Sequence, residues 1–172
     1  MSTEKMKKEL ESAFRSAMRQ YAASVNIITC RARGTWYGMT ATAITSLCAD
    51  PPSLLLCINR GNNFYAAISE ASEFCVNLLG TQHQEVSAAF SRTVENPLDK
   101  FSSGRWNCEL DGIPYLVDSP VNIFCKVAST FSFGTHDIVV GTCERILGSE
   151  DAGRSSPLLY TNGQYTSVSA VN

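Results

Sequence analysis

The sequence has few of the residues on which hydrolytic and metal-dependent chemistry usually depends. It contains only two histidines, His83 and His136, among 172 residues. It also contains no GxGxxG, no GxxxxGK[ST], no GxSxG and no HExxH. These absences argue against a Rossmann dinucleotide fold, a P-loop nucleotide hydrolase, an α/β-hydrolase and a zinc peptidase, and we expect no metal site.

Charge is scarce as well. Charged residues make up 17% of the chain, the formal net charge is -2, and the basic residues are scattered apart from a short N-terminal cluster. A nucleic-acid partner is therefore not expected. A chain so poor in charge leaves apolar surface for association, and we expect a homo-oligomer.

The chain also lacks segments that would place it in a membrane or outside the cell. No apolar run reaches the roughly 18 residues needed to span a bilayer, and the N-terminal residues are too charged for a secretory signal. The seven cysteines form an odd set without a CxxC motif, which is typical of buried thiols in a reducing compartment. We therefore expect no membrane partner and a cytoplasmic location.

Hydrophobic periodicity predicts one N-terminal helix followed by strands. Apolar residues recur every three or four positions from Glu4 to Tyr21, which predicts an amphipathic helix. We expect residues 1–172 to form a single domain, with this helix in residues 1–23 and a barrel in residues 24–168. The expected strands are 25–32, 35–47, 53–59, 73–79, 121–133, 136–147, 157–161 and 164–169, and two further helices are expected at 64–70 and 83–91.

Turn residues separate these elements. Asn162-Gly163 is a strong hairpin signal, and Asp50-Pro51-Pro52 must interrupt a strand ladder. Residues 92–120 are rich in Gly, Pro, Asp and Asn, which predicts a long loop with one short strand. The polar residues 148–156 are expected to form a second loop. The pattern predicts a mainly β fold with peripheral helices, built on a mostly antiparallel sheet that closes into a barrel.

One strand has unusually small side chains. In "GMTATAITS", residues 38–46, alternation places Thr40 and Thr42 on one face and Ala41 and Ala43 on the other. Such a strand lets a flat heteroaromatic ligand approach the backbone and offers hydroxyl and main-chain partners for its polar edge. The alternative is that these residues simply fill a tight barrel interior.

A series of motifs carries a family resemblance. In order along the chain they are "AASVNIITC", "YGMTATAITSLCADPPSLLLCIN", "EFCVNLL", "HQEVSAAF", "KF", "GIPYL", "FGTHDIVVG" and "PLLYTNGQY". From about Phe14 to Tyr165 the chain resembles the short-chain flavin reductase family. It is most similar to the reductase components of two-component monooxygenases that act on phenols and 4-hydroxyphenylacetate.

The resemblance implies a split β-barrel with the flavin reductase-like FMN-binding fold, assembled as a homodimer. It implies an NAD(P)H:flavin oxidoreductase that reduces FMN or FAD and supplies free reduced flavin, by diffusion, to a partner oxygenase. The nucleotide expected is NADH, with NADPH as the alternative. Because the hydride would pass directly between the cofactors, no catalytic side chain is expected.

The resemblance also implies positions for the ligands. Phe64 departs from a family pattern of Ser-x-Thr at 62–64, and Asn77 is either a flavin contact or a hydrogen-bonded core residue. The nicotinamide nucleotide is expected at His136, Gly163 and Tyr165. The flavin is expected along Thr40, Ala41, Thr42, Ser46, Leu47, Cys48, Asn59, Asn62, Asn63, Asn77, Ser91, Arg92 and Lys100.

Two other functions stay open at this point. One is a flavin-binding electron-transfer protein on the same barrel, with tightly held FMN and no nicotinamide turnover. The other is a barrel that binds no flavin.

Overall fold

The protein is described here from a computed structural model, which describes residues 3–109, 112–148 and 155–169. The three α-helices of these residues are α1 (Thr3–Met18), α2 (Asn63–Glu70) and α3 (Gln84–Ser91). The strands are β1 (Ala23–Ser24), β2 (Asn26–Ala32), β3 (Thr35–Ala41), β4 (Ile44–Ala49), β5 (Pro52–Asn59), β6 (Glu73–Leu78), β7 (Trp106–Cys108), β8 (Pro114–Leu116), β9 (Val121–Phe133), β10 (His136–Gly148), β11 (Leu159–Thr161) and β12 (Gln164–Thr166).

A seven-stranded antiparallel sheet forms the centre of the fold, in the order β3-β2-β6-β9-β10-β5-β4. Its two edge strands, β3 and β4, follow each other in the chain and are separated only by Thr42 and Ala43. The two edge strands are therefore joined by a short turn of the chain. In the described residues no hydrogen-bonded ladder between β3 and β4 closes the sheet. The fold is a split β-barrel, and the expectation of a closed barrel was wrong.

The break at Thr42 and Ala43 also corrects the expected single strand over 35–47. The backbone N–H of Ile44 donates to the carbonyl of Thr42 at 3.0 Å, so the chain turns sharply between the two strands. Ala43 stays in the sheet only through its carbonyl, which accepts from the N–H of Cys57 at 3.0 Å. The small residues thus lie where the chain passes from one edge of the sheet to the other.

The core is formed by inward-facing residues of the central strands. Alternation buries Leu54, Leu56 and Ile58 of β5, and β2 and β6 contribute Ile28 and Phe74 to the same cluster. Helix α2 covers this cluster, whereas α3 covers a second cluster that runs from Val25 to Leu158. The two helices therefore lie on separate apolar surfaces of the barrel and leave space between them.

The predicted N-terminal helix is confirmed, although it ends at Met18 rather than Tyr21. None of its residues is buried, and Met6, Leu10 and Phe14 are exposed. Its apolar stripe is thus uncovered in the single chain. No helix of the described residues is both long enough and apolar enough to cross a membrane.

The segment 92–120 is more ordered than its composition predicts. It contains a 3₁₀ helix (Pro97–Ser102) and the hairpin of β7 and β8, where a loop with one strand was expected. Residues 110–111 in this segment, and 149–154 of the expected loop 148–156, lie outside the described residues. The Asn162-Gly163 hairpin is confirmed, because β11 and β12 pair across it.

Candidate functional site

A cavity of about 360 Å³ lies between β3, the start of α2, the end of α3 and the 3₁₀ helix. It combines main-chain groups of two turns with a few hydroxyl, amide and charged side chains. Six of the residues predicted to bind flavin line it together, namely Thr40, Asn62, Asn63, Ser91, Arg92 and Lys100. The sequence reasoning missed the other lining residues, which are Tyr37, Gly38, Met39, Gly61, Phe64, Phe90, Thr93, Val94, Glu95 and Pro97.

Gly38 fits the cavity wall because it has no side chain. A Cβ at this position would lie 2.5 Å from the Phe90 ring, far inside van der Waals contact. The ring is fixed in its turn by Phe101 and Trp106, at centroid distances of 5.0 and 4.9 Å. The glycine therefore lets β3 approach α3 closely at the base of the cavity.

Lys100 joins the two sides of the cavity. Its ammonium group donates to the carbonyl of Gly38 at 3.2 Å and to the carbonyl of Phe90 at 3.1 Å. Burial lowers the pKa of Lys100, because the charged form loses solvent. In this structure the side chain acts as a clamp between β3 and α3, with its charge at the cavity wall.

The turn that leads into α2 closes the opposite side of the cavity. The side-chain oxygen of Asn59 accepts from the N–H of Gly61, and that of Asn62 accepts from the N–H of Phe64, both at 2.8 Å. Asn62 is thus the N-cap of α2, and Asn63 lines the cavity beside it. The cavity lining carries Arg92 and Lys100 against one carboxylate, Glu95, and the N-terminus of α2 adds a partial positive charge, which together suit an anionic group.

Phe64, which departs from the family pattern, lies at the border between the cavity and the core. Its side chain is only 3% exposed and belongs to the core cluster beneath α2. Phe64 therefore anchors the helix, while its N–H completes the Asn62 cap. At this position the side chain packs α2 onto the core, and the main chain at the cavity keeps its capped turn.

The other predicted residues of the small-residue strand face different surfaces. Ala41 is 8% exposed and packs in the core, which agrees with the alternative of a tightly filled interior. Thr42 lines a groove beside α1 and the β11–β12 hairpin. Ser46 and Cys48 line a mostly apolar opening on β4, and Leu47 between them is exposed.

Asn77 is a core residue, so the structure favours the second of its two interpretations. It is fully buried, and its amide group donates to the carbonyl of Ile27 at 3.0 Å and to the hydroxyl of Thr29 at 3.2 Å. Its oxygen accepts from the N–H of Leu116 and from the amide of Asn122, both at 2.8 Å. With these partners Asn77 ties β2, β8 and β9 together, and it does not line the cavity.

His136 lies at the first position of β10, just after the β9–β10 turn. It is exposed, and its Nδ1 lies 2.9 Å from the Thr135 hydroxyl. The strand register places it opposite Asn59, the residue that caps the turn before α2. This brings the predicted nicotinamide contact to the strand end that leads into the cavity turn.

The last hairpin carries the other two predicted nicotinamide contacts. The hydroxyl of Tyr165 lies 2.8 Å from that of Ser87, a fully buried residue of α3. The Ser87 carbonyl accepts in turn from the hydroxyl of Thr40 at 2.7 Å. Gly163 lines the groove beside α1 together with Thr42. Six of the predicted residues therefore line the cavity, Ala41 and Asn77 are buried in the core, and the others lie on other surfaces of the chain.

Metal chemistry has no visible support at these surfaces. Within residues 3–109, 112–148 and 155–169, no group of three or more His, Cys, Asp or Glu side chains could hold a metal ion. A cavity with an amide-rich turn, Arg92 and open main chain is better suited to an organic anion with polar edges.

Comparison with known proteins identifies the family. The flavin reductase-like domain matches residues 18–169. The chain belongs to this family. Its curated relatives include an NADH-dependent FMN reductase, RutF, from Pseudomonas syringae pv. syringae, 38% identical over 153 residues that cover 89% of this chain and 84% of that protein.

Two further members extend the comparison. The reductase component of an FADH(2)-dependent resorcinol hydroxylase from Rhizobium sp. is 34% identical over 158 residues, covering 91% of this chain and 86% of that protein. The crystal structure of a flavin reductase domain protein from Arthrobacter sp. FB24 superposes with a TM-score of 0.86 at 31% identity, covering 94% of this chain and 98% of that one. The family that the motifs indicated is thus confirmed, and the fold agrees with that of its members.

Proposed function

We propose that this protein is an NADH-dependent flavin reductase, which reduces FMN or FAD and releases the reduced flavin to a separate oxygenase. The family match over residues 18–169 carries the proposal. Relatives named as an NADH-dependent FMN reductase and as the reductase component of a hydroxylase support it.

The cavity fits one part of a flavin. Its volume of about 360 Å³ lies within the usual range for small-molecule sites. The capped turn at Asn62 and Asn63, with Arg92 opposite, would hold the phosphate. The ring would then lie along the main chain of Gly38–Thr40, since Thr42 and Ser46–Cys48 line other surfaces of the single chain.

The part played by the protein in this reaction is mainly binding and orientation. The bound flavin supplies the chemistry by accepting a hydride, two electrons and one proton, from the nicotinamide. The chain would hold the two rings in contact, with His136, Gly163 and Tyr165 on the nicotinamide side. No acid or base at the cavity is required, because the proton travels with the electrons.

A second copy of the chain is the expected subunit partner. On β9, Phe131 and Phe133 are 59% and 83% exposed, and they lie opposite Ile138 and His136 of β10. Such an apolar face beside a candidate ligand contact is suited to a homodimer interface. Sedimentation of the wild type and of the double variant F131S/F133S tests this, since a wild type that sediments as a monomer would remove the proposal.

The cytoplasm is the proposed location. All seven cysteines are free thiols, and Cys48 is exposed, which is compatible with a reducing compartment. Fractionation of cells that produce the chain with its native termini would test this, and recovery outside the cytoplasm would contradict it.

Steady-state oxidation of NADH and NADPH with FMN, FAD and riboflavin is the decisive experiment. We expect rapid oxidation of NADH that depends on added FMN or FAD, and an oxygen-consuming hydroxylase mixed with the protein should become active. Tightly bound FMN in the purified protein, with no NADH oxidation, would instead identify a flavin-binding electron-transfer protein. Riboflavin lacks the phosphate, so the difference between its KM and that of FMN measures the contribution of the phosphate contacts, which include Arg92.

A further inference from the structure

Asp137 is a buried carboxylate that the proposed reaction does not use. It follows His136 directly on β10, and the residue is 4% exposed. Strand alternation turns it inward together with Val139 and Gly141, which are buried as well. A charge placed in this apolar row requires polar partners to offset the loss of water.

The partners of Asp137 come from three different elements. One carboxylate oxygen accepts from the hydroxyl of Ser132 on β9 at 2.9 Å, and the other accepts from the hydroxyl of Tyr65 on α2 at 2.9 Å. The Arg60 guanidinium, in the turn before α2, lies 3.8 Å from the first oxygen. Asp137 therefore connects the β9–β10 hairpin to the helix whose first residues line the cavity.

Arg60 reinforces the same connection from the main chain. Its backbone N–H donates to the carbonyl of Thr135 at 3.0 Å, and its guanidinium donates to the carbonyl of Gly134. The turn that receives these bonds is otherwise open, since a Cβ at Gly134 would meet no atom within 4 Å. Besides the ladders that pair His136 with Asn59 and Phe133, the turn is thus held by the bonds from Arg60 and by the contact between Ser132 and Asp137 below it.

We propose that Asp137 is a positioning residue, which holds the turn bearing His136 in a fixed place relative to the cavity. The kinetic part of this inference rests on the proposed function. Hydride transfer requires the two rings at a defined distance, and a displacement of about 1 Å can cost about 100-fold in rate. The α2 turn keeps its own caps at Asn59 and Asn62, so loss of Asp137 should loosen the nicotinamide side and spare the flavin side.

The first test does not depend on catalysis. The chain has only two histidines, so the two ring signals in an NMR spectrum of histidine-labelled protein can be assigned with one variant. In Asp137→Leu, whose side chain has the same branched shape but no polar atoms, the His136 signal should shift or broaden. The His83 signal should stay in place, because that ring is buried and bonded to Gly80. Val139→Ala is the matched control: it lies two residues further on the same inward row and should leave both signals unchanged.

The second test is kinetic. Asp137→Leu should raise the KM for NADH about tenfold and lower kcat, with the Kd for FMN changed less than about twofold. Asp137→Asn should restore most of the loss, since an amide can still bond both hydroxyls. Val139→Ala should leave the KM for NADH near the wild-type value, although it is destabilised.

The outcomes separate the two proposals. An unchanged His136 signal in Asp137→Leu, or an equal rise of the KM for NADH in Val139→Ala, would show that Asp137 is merely structural. Absence of NADH oxidation by the wild type would overturn the proposed function alone, because the NMR result would still decide the role of Asp137 in holding the turn.

Discussion

Replacing Lys100 by Met removes the ammonium group that joins β3 to α3 and keeps most of the alkyl chain. The carbonyls of Gly38 and Phe90 then lose a charged donor at 3.2 and 3.1 Å. A hydrogen bond to a charged group contributes about 1.5–3 kcal/mol net. Water can reach both carbonyls from the cavity, and the ammonium no longer has to be desolvated, so we expect a loss of only about 2 kcal/mol in the free energy of unfolding.

Urea unfolding of the flavin-free protein measures this loss, and the melting temperature should fall by about 4–8 °C. Arg92→Met is the control, because Arg92 is an exposed residue of the same cavity. It should change stability by less than about 0.5 kcal/mol and weaken FMN about tenfold more than riboflavin, which has no phosphate. An unchanged urea midpoint for Lys100→Met, with weaker binding of FMN alone, would show that Lys100 is a phosphate ligand and refute its role as a clamp.

Three other changes test different parts of the site. His136→Ala should raise the KM for NADH about tenfold and that for flavin little; equal effects in steady-state assays would count against a nicotinamide contact. Gly38→Ala should destabilise the protein by about 1–3 kcal/mol and weaken FMN binding in a fluorescence titration, because the new Cβ would displace the Phe90 ring. Burial lowers the pKa of His83, whose neutral ring accepts from the Gly80 N–H, so folding favours the neutral form. The free energy of unfolding should therefore be highest above a pH of about 6.5 and should fall as the pH drops from there toward the pKa of the folded state. Urea titrations should show a fall of at most about 1.4 kcal/mol per pH unit, and His83→Gln should remove this dependence on pH.

Local patterns in the sequence predicted most of the elements. The three- and four-residue periods gave the helices within a few residues, and alternation gave the long strands of the central sheet. The break at Thr42 and Ala43 has no such local signal, since neither residue interrupts a strand by itself. It arises because the two edges of a curved sheet meet there, which is a property of the whole barrel.

The same distinction applies to the cavity. The family resemblance predicted Arg92 and Lys100 at the flavin site. Their different environments, however, depend on contacts between residues far apart in sequence. Lys100 donates to the carbonyls of Gly38 and Phe90. From the sequence alone, a lysine in a loop is instead expected to be a solvated surface charge. Ala41, expected along the ligand, faces the core, because strand alternation turns it away from the face that carries Thr40.

Asp137 shows what a charge-poor sequence can still indicate. In "HDIVVG" a carboxylate stands in register with inward-facing apolar residues, and a buried charge there requires partners. The sequence thus contained a signal for an internal polar network at the His136 turn, although it could not name Tyr65 or Ser132 as the donors. Both donors lie on elements that reach Asp137 only once the sheet is assembled. The position of the turn is therefore a consequence of the fold, and any substitution that disturbs β9, β10 or α2 at these contacts should affect the turn that carries His136 before it affects the cavity.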